Sequence, residues 1–188
     1  MEILAQAFGI IGMICNIIVF QQKTHKRVLI WQFFAAVTFS LNYFLLGAVV
    51  GGMLNLVGAA RSVVFFYKEK THANSVVWLI IFILAFGVSY PLTFLVFDTP
   101  MTPRNFIIEL LPVIAMIIAT FTLRLGSAKM VRCLGLLSSP MWLVYNCFSG
   151  SIGAIASEIL NLISIVVGII RIDIKANKKF HSTDSEDL

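Results

Sequence analysis

Charged residues are scarce in this sequence: only 12% of the 188 residues are Asp, Glu, Lys or Arg, and 59% are hydrophobic. A soluble domain has about 25% charged and about 45–50% apolar residues. The shortage of charge therefore excludes an ordinary soluble protein and indicates that a lipid bilayer surrounds most of the chain. The basic pI, near 9.3, is typical here of cytoplasmic loops, because the basic residues lie between apolar runs.

Metal-binding and catalytic motifs are also missing. The three cysteines show no C-x-x-C spacing and the three histidines lie in predicted loops or the tail, which argues against a metal site or a disulfide framework. The hydrolase motifs H-E-x-x-H and G-x-S-x-G do not occur. The last apolar run has no lysine, which a retinal-binding seven-helix protein needs for its Schiff base. We therefore expect no enzyme activity, no catalytic residues, no metal and no cofactor.

The N-terminus lacks the positive charges that precede the apolar core of a secretory signal peptide. Glu2 leads the first apolar run, and the basic cluster KTHKR (23–27) follows it. This charge order is the reverse of that in a signal peptide. We expect the first run to be a retained membrane helix.

Seven apolar runs are present, each close to the roughly 20 residues that span ~30 Å of hydrocarbon. Short turns join the second run to the third and the sixth to the seventh, so these neighbours are expected to pair antiparallel. The sequence thus predicts an all-α integral membrane protein with seven transmembrane helices, over about 3–20, 28–47, 49–67, 76–97, 105–123, 130–148 and 151–171.

Alternating the loops between the two sides of the membrane separates the basic residues. Twelve of the 14 Lys and Arg residues fall on one side, Arg104 falls on the other, and Arg61 lies within the third span. Cytoplasmic loops carry the excess of positive charge in membrane proteins. We therefore predict that the N-terminus is outside and the C-terminus is in the cytoplasm.

The last three spans repeat the first three at a distance of 103 residues. At this offset Gly47 falls on Gly150 and Lys68 on Arg171, and the loop lengths and basic clusters agree. Two three-helix units separated by one helix enter the membrane in the same orientation, so the repeats are parallel. The sequence predicts a 3+1+3 arrangement: a first repeat at 1–70, a linker helix within 71–102, a second repeat at 103–174 and a disordered cytoplasmic tail at 175–188.

This arrangement resembles that of the SWEET and PQ-loop transporters. The run VFQQKTHKRV is similar to their basic motif after the first helix, although Gln21 stands where they have proline. A resemblance to the YgjV family of bacterial inner-membrane proteins covers most of the chain, through FLLG, Arg61, ELLPVI, MVRC and the segment from Trp142 to Glu158. It implies a multi-pass protein of the bacterial inner membrane, and the SWEET resemblance implies transport.

A carboxylate, Glu158, lies in the middle of the apolar segment GSIGAIASEILNLIS. A charge at the centre of a bilayer helix costs about 2.5–3.5 kcal/mol even on insertion scales. At the 103-residue offset Glu158 falls on Asn55, and both lie on stripes of small and polar residues. Such stripes predict either a cavity between the repeats or close helix packing held by amide hydrogen bonds. In SWEET-like proteins an asparagine on the third helix of each repeat lines the sugar pocket; Asn55 matches this pattern and Glu158 departs from it.

Five further residues complete the predicted substrate- or ion-binding set. Arg61 is an ion-pair partner of Glu158, a gate or clamp for a substrate carboxylate, or a snorkelling side chain. Glu109 opens the fifth span, where it either binds solute or complements the helix dipole. Trp142 and Asn146 either contact a ligand or anchor their helix at the interface. Asn161 either lines a pocket or joins helices.

These residues lead us to expect a small-solute carrier that works by alternating access, with Glu158 as a site for a proton or cation. The alternative is a non-transporting scaffold or sensor whose intramembrane polar residues are structural. The expected partners are a small-molecule solute and the lipid bilayer, with no nucleic acid. A homo-oligomer is compatible with the sequence.

Overall fold

The computed structural model describes residues 1–22, 24–73, 75–97, 99–125 and 128–170. The predicted disordered tail at 175–188 and the last residues of the predicted second repeat lie outside these ranges. Throughout the described ranges the chain is helical and contains no strand. The predicted all-α class is therefore confirmed for this part of the chain.

Eight helices make up the described part of the chain. Seven of them are between 17 and 23 residues long, and α4 is a single turn. Their bounds are α1 Glu2–Gln21, α2 His25–Leu45, α3 Val49–Phe66, α4 Lys68–Thr71, α5 Val76–Leu95, α6 Pro103–Leu125, α7 Ala128–Ser149 and α8 Ile152–Gly168.

Five of these helices are long and apolar enough to cross a membrane: α1, α2, α3, α5 and α6. Helix α8 is equally apolar in character but has only 17 residues. Helix α7 is longer but carries Arg132, Ser138, Ser139 and Asn146 along its length. Its polar side chains have a structural explanation, because several of them face other helices rather than lipid.

Six of the long helices pack in a closed circuit. In order around it, α1 packs on α2, α2 on α3, α3 on α6, α6 on α7, α7 on α8, and α8 returns to α1. Helix α5 packs on α3 and α6, beside the circuit. Phe82 and Phe86 of α5 are buried against Leu54 of α3 and Met116 of α6, which fixes α5 in this position. Polar residues of α1, α2, α3, α7 and α8 line the space inside the circuit.

Two hairpins of this circuit each contain a glycine turn between their two helices. Gly47, between α2 and α3, has φ of 74°, and Gly150, between α7 and α8, has φ of 70°. A residue with a side chain pays a steric penalty at such angles, whereas glycine does not. These turns make the predicted hairpins tight enough for α2 to pack along α3 and for α7 to pack along α8.

Helices α1 and α8 approach each other most closely at a pair of glycines. A Cβ atom placed on Gly153 would lie 2.2 Å from both the carbonyl carbon and the carbonyl oxygen of Gly9. Small residues permit this backbone contact, which is the usual way in which membrane helices come together. The contact closes the circuit between the first and last helices.

Candidate functional site

A central cavity lies inside the circuit of helices. Its volume is about 180 Å³, and α1, α2, α3, α6, α7 and α8 all contribute to its wall. Along α2 it extends from Gln32 to Tyr43, which is about 16 Å at 1.5 Å per residue. Its polar lining residues are Asn16, Gln32, Tyr43, Asn55, Arg61, Ser62, Asn146, Ser157 and Glu158.

The carboxylate of Glu158 projects from α8 into the wall of this cavity. Ser139 of α7 and Asn161, one turn further along α8, are its hydrogen-bonding neighbours. The Asn161 amide also donates to the Ser139 hydroxyl at 2.7 Å. One carboxylate oxygen, Oε2, is buried and has no hydrogen-bond partner. A buried unpaired oxygen on a charged group is costly, so this position favours a proton or a cationic group.

Arg61 lines the same cavity from α3. Its Nη1 donates to the Thr120 hydroxyl of α6 at 3.0 Å, and its guanidinium lies 5.8 Å from the centre of the Phe86 ring. Arg61 and Glu158 therefore share the cavity without forming the ion pair considered from the sequence. The physical reason is that α6 supplies Arg61 with an acceptor and an aromatic face is close by on α5.

The bond to Thr120 predicts a measurable contribution to stability. Replacing Thr120 with valine keeps the side-chain volume and removes the acceptor, so Arg61 loses a charge-assisted hydrogen bond worth about 1.5–3 kcal/mol. We expect a lower unfolding midpoint in detergent. Thr38→Val is the matched control, because the Thr38 hydroxyl bonds only to carbonyls of its own helix, those of Phe34 and Ala35. Equal midpoints for the two variants would contradict this assignment.

A layer of polar side chains closes one end of the cavity. The Tyr43 hydroxyl donates to Asn146 Oδ1 at 2.5 Å, and the Ser151 hydroxyl donates to Asn42 Oδ1 at 2.5 Å. The Tyr145 hydroxyl accepts from the backbone N–H of Gly51 at 2.8 Å. We call this set the polar layer: Asn42, Tyr43, Tyr145, Asn146 and Ser151. Each of these residues is only 0–2% exposed.

The polar layer also explains how two helices begin. The first N–H groups of any helix have no partner within the helix. In α3, Tyr145 satisfies the N–H of Gly51. In α8, Ser151 accepts from Ala154 at 3.3 Å, and Gln6 of α1 accepts from the N–H of Ile152 at 3.1 Å. Ser151 thus caps its own helix, whereas Tyr145 and Gln6 each cap a helix in the other half of the chain.

A second pocket lies on the far side of the polar layer, beside the turn that contains Gly47. This turn pocket has a volume of about 260 Å³ and is lined by residues of α6 and α7 as well as the turn itself. Glu109 accepts from the Tyr145 hydroxyl, and its Oε2 is buried without a partner. Arg104 lies over the Phe148 ring, with the guanidinium carbon 4.5 Å from the ring centre.

The comparisons with known proteins place the chain in a family of membrane proteins. A family model described as bacterial inner membrane protein, Imp-YgjV, matches residues 3–176. The chain belongs to the YgjV family. It is 27% identical to inner membrane protein YgjV of Escherichia coli (strain K12) over 169 residues, which is 89% of this chain and 84% of the relative. No solved structure matches. This YgjV-family protein is thus a multi-pass protein of the bacterial inner membrane, as the resemblance implied.

The sequence-predicted residues of this YgjV-family protein fall in three places. The central cavity brings together Asn55, Arg61, Trp142, Asn146 and Glu158. Asn161 stands behind Glu158, bonded to Ser139. Glu109 lies in the turn pocket, separate from the other six. Asn55 donates to the Gly51 carbonyl of its own helix at 2.9 Å.

Several residues of the cavity were not predicted from the sequence. Asn16 of α1 donates to the Ser157 hydroxyl of α8 at 2.8 Å, and both line the cavity together with Gln32. Ser151 of the polar layer was missed as well. A signal was available for Asn16 and Gln32, because an amide side chain within an apolar run needs a partner wherever it is buried.

Proposed function

We propose that this YgjV-family protein is a carrier that moves a small solute across the inner membrane by alternating access and leaves it chemically unchanged. The observation that carries the proposal is the central cavity, in which Glu158, Arg61 and four amide side chains meet inside a circuit of six helices. Ionisable residues within membrane helices generally line substrate or ion pathways. Glu158 is the charged group of the proposed binding site.

The proposed frame has seven spans in a 3+1+3 arrangement of parallel repeats, like that of SWEET and PQ-loop carriers. In it α7 and α8 join the five apolar helices as spans, and α5 is the linker. The packing supports this frame, because an offset of 103 residues exchanges α1 with α6, α2 with α7 and α3 with α8, and every pair in the circuit then maps onto another pair of the circuit.

The hydrogen bond between Tyr43 and Asn146 supports the same symmetry. These two residues are 103 positions apart and touch each other. Residues that a twofold axis exchanges can meet only near that axis, so the bond marks where the axis runs. Gly47 and Gly150, also 103 positions apart, share the same left-handed backbone conformation. Substrate sites in repeat-built carriers lie at this kind of interface.

Sidedness completes the proposal. With the N-terminus outside and the C-terminus in the cytoplasm, the polar layer lies near the outer ends of α2 and α7, and the cavity extends from it towards the cytoplasm. The polar layer is then a closed outer gate, and the conformation is inward-facing. Transport requires the hydrogen bonds between Tyr43 and Asn146 and between Ser151 and Asn42 to break and reform in each cycle.

Uptake into proteoliposomes tests this function. Purified protein is reconstituted and supplied with radiolabelled solutes of four charge types: glucose, acetate, methylammonium and glycine. A carrier accumulates at least one of them, or exchanges it in counterflow, at a rate well above that of protein-free liposomes. Rates equal to those of protein-free liposomes for every solute, from correctly folded protein, would contradict transport and favour a scaffold or sensor.

A further inference from the structure

The two cavities carry the same pair of charges. Among the described residues that line the central cavity, the formally charged ones are Arg61 and Glu158. Among those that line the turn pocket, they are Arg104 and Glu109. Each cavity therefore presents one guanidinium and one carboxylate, and its formal charge sums to zero.

Neither guanidinium is used to neutralise its neighbouring carboxylate. Arg61 bonds to a neutral hydroxyl, and Arg104 lies over an aromatic ring. The Oε2 atoms of Glu158 and Glu109 are both buried and without a partner. Arg61 and the two carboxyl groups are at least partly buried, whereas Arg104 is exposed. Opposite charges gain most by pairing where they are shielded from water, so the separation of Arg61 from Glu158 requires an explanation.

A zwitterionic solute supplies both missing partners at once. Its ammonium group pairs with the carboxylate, and its carboxylate pairs with the guanidinium, so each of the four charges has a partner. A neutral sugar leaves both protein charges unpaired, and a simple anion or cation leaves one unpaired. Because an unpaired buried charge is costly, the charge pattern of the central cavity discriminates between these classes.

We propose that the solute is a small zwitterion with one ammonium and one carboxylate group, and that the turn pocket is a second binding site for it. That the bound zwitterion is also transported rests on the proposed function. Its binding at the two sites does not depend on transport. The two cavities have volumes of about 180 and 260 Å³, which corresponds to roughly six and nine water molecules at ~30 Å³ each. A solute with a few heavy atoms fits, and an oligosaccharide or long peptide does not.

Tyr145 connects the two sites. Its hydroxyl donates to Glu109 in the turn pocket. Its ring lies 5.8 Å from that of Tyr43 and 5.9 Å from that of Trp142, and both of these line the central cavity. The sites are thus separated by a layer about one aromatic ring thick. A solute held at the turn pocket needs only a rearrangement of the polar layer to reach Glu158.

Equilibrium binding to purified protein in detergent tests the proposal. Titrations use glycine as the zwitterion, with acetate, methylammonium and glucose as the single-charge and neutral comparisons. We expect glycine to bind at two sites per chain and at least about tenfold more tightly than the other three, since each of the others lacks at least one of its charge-assisted contacts. Acetate, methylammonium or glucose binding as tightly as glycine would overturn the inference.

Two isosteric variants separate the two sites. Glu109→Gln is expected to remove glycine binding at the turn pocket, which reduces the number of sites from two to one. Glu158→Gln is expected to weaken glycine binding at the central cavity at least about tenfold. Both keep the side-chain size, and Gln6 already occupies the position that corresponds to Glu109 at the 103-residue offset. A wild-type stoichiometry of one, or an unchanged stoichiometry in Glu109→Gln, would overturn the second site.

Failure of this inference and failure of the proposed function give different results. Uptake of glucose, or of acetate alone, into proteoliposomes would support the carrier function and contradict a zwitterionic solute. Binding of glycine at two sites without uptake of any solute would support the two zwitterion sites and contradict the carrier function.

Discussion

Replacing Gly153 with alanine is expected to prevent stable assembly of the helices. The added Cβ would lie 2.2 Å from the backbone of Gly9, and backbone atoms cannot rotate away as a side chain can. Helices α1 and α8 must then separate, which breaks the closed circuit and the nearby bonds of Gln6 to the start of α8. Overpacking in a core ordinarily costs about 1–3 kcal/mol, and this contact lies at or above the upper end.

Gly87→Ala is the matched control for this prediction. Gly87 lies within α5, and a Cβ placed on it has no neighbour within 4 Å. Alanine is favoured over glycine inside a helix by about 0.5–1 kcal/mol, so this variant is expected to be as stable as the wild type or slightly more stable. Size-exclusion profiles and unfolding midpoints in detergent measure both effects. A Gly153→Ala protein with wild-type profile and midpoint would contradict the α1–α8 contact.

Replacing Glu158 with glutamine is expected to slow solute uptake strongly while the protein remains folded. Glutamine has the same size and can still bond to Ser139 and Asn161. It has no negative charge and does not bind a proton in the relevant pH range, so the cationic or proton partner is lost. The loss of one charge-assisted contact, about 1.5–3 kcal/mol, corresponds to a decrease of about 10- to 100-fold in uptake.

Glu69→Gln is the control for this charge change. Glu69 lies in α4, is exposed, and lines neither cavity. It is expected to leave uptake unchanged, which separates an effect at the cavity from an effect of net charge. Uptake by Glu158→Gln at the rate of Glu69→Gln would show that the carboxylate of Glu158 has only a structural role.

The helices and their turns could be predicted from the sequence because hydropathy and glycine position report directly on them. All seven predicted spans begin and end within about three residues of an observed helix, and Gly47 and Gly150 form the predicted turns. For Asn55 and Glu158 the 103-residue offset left open a shared cavity or close helix packing, and in the structure both line the central cavity. The offset itself stays a prediction, although the packing of the helices supports it.

The partners of individual polar side chains could not be predicted. Which residue Arg61 contacts depends on how far α3 and α6 are rotated and displaced along their axes, and apolar helix surfaces do not encode that rotation. Neighbouring helices and lipid are equally apolar, so composition gives no signal for choosing between them. The bond of Arg61 to Thr120 and that of Asn16 to Ser157 became apparent only in the structure.

Cysteine labelling at two adjacent positions tests the central claim most directly. Asn55 lines the cavity, whereas Leu56, the next residue of α3, is 56% exposed on the outer surface of the helix circuit. Each is replaced with cysteine in a chain that lacks Cys15, Cys133 and Cys147. A membrane-impermeant thiol reagent is then applied to right-side-out spheroplasts and to inverted vesicles. Alternating access predicts labelling of position 55 from both sides and of position 56 from neither. Labelling of position 55 from one side alone, or from neither, would contradict the account.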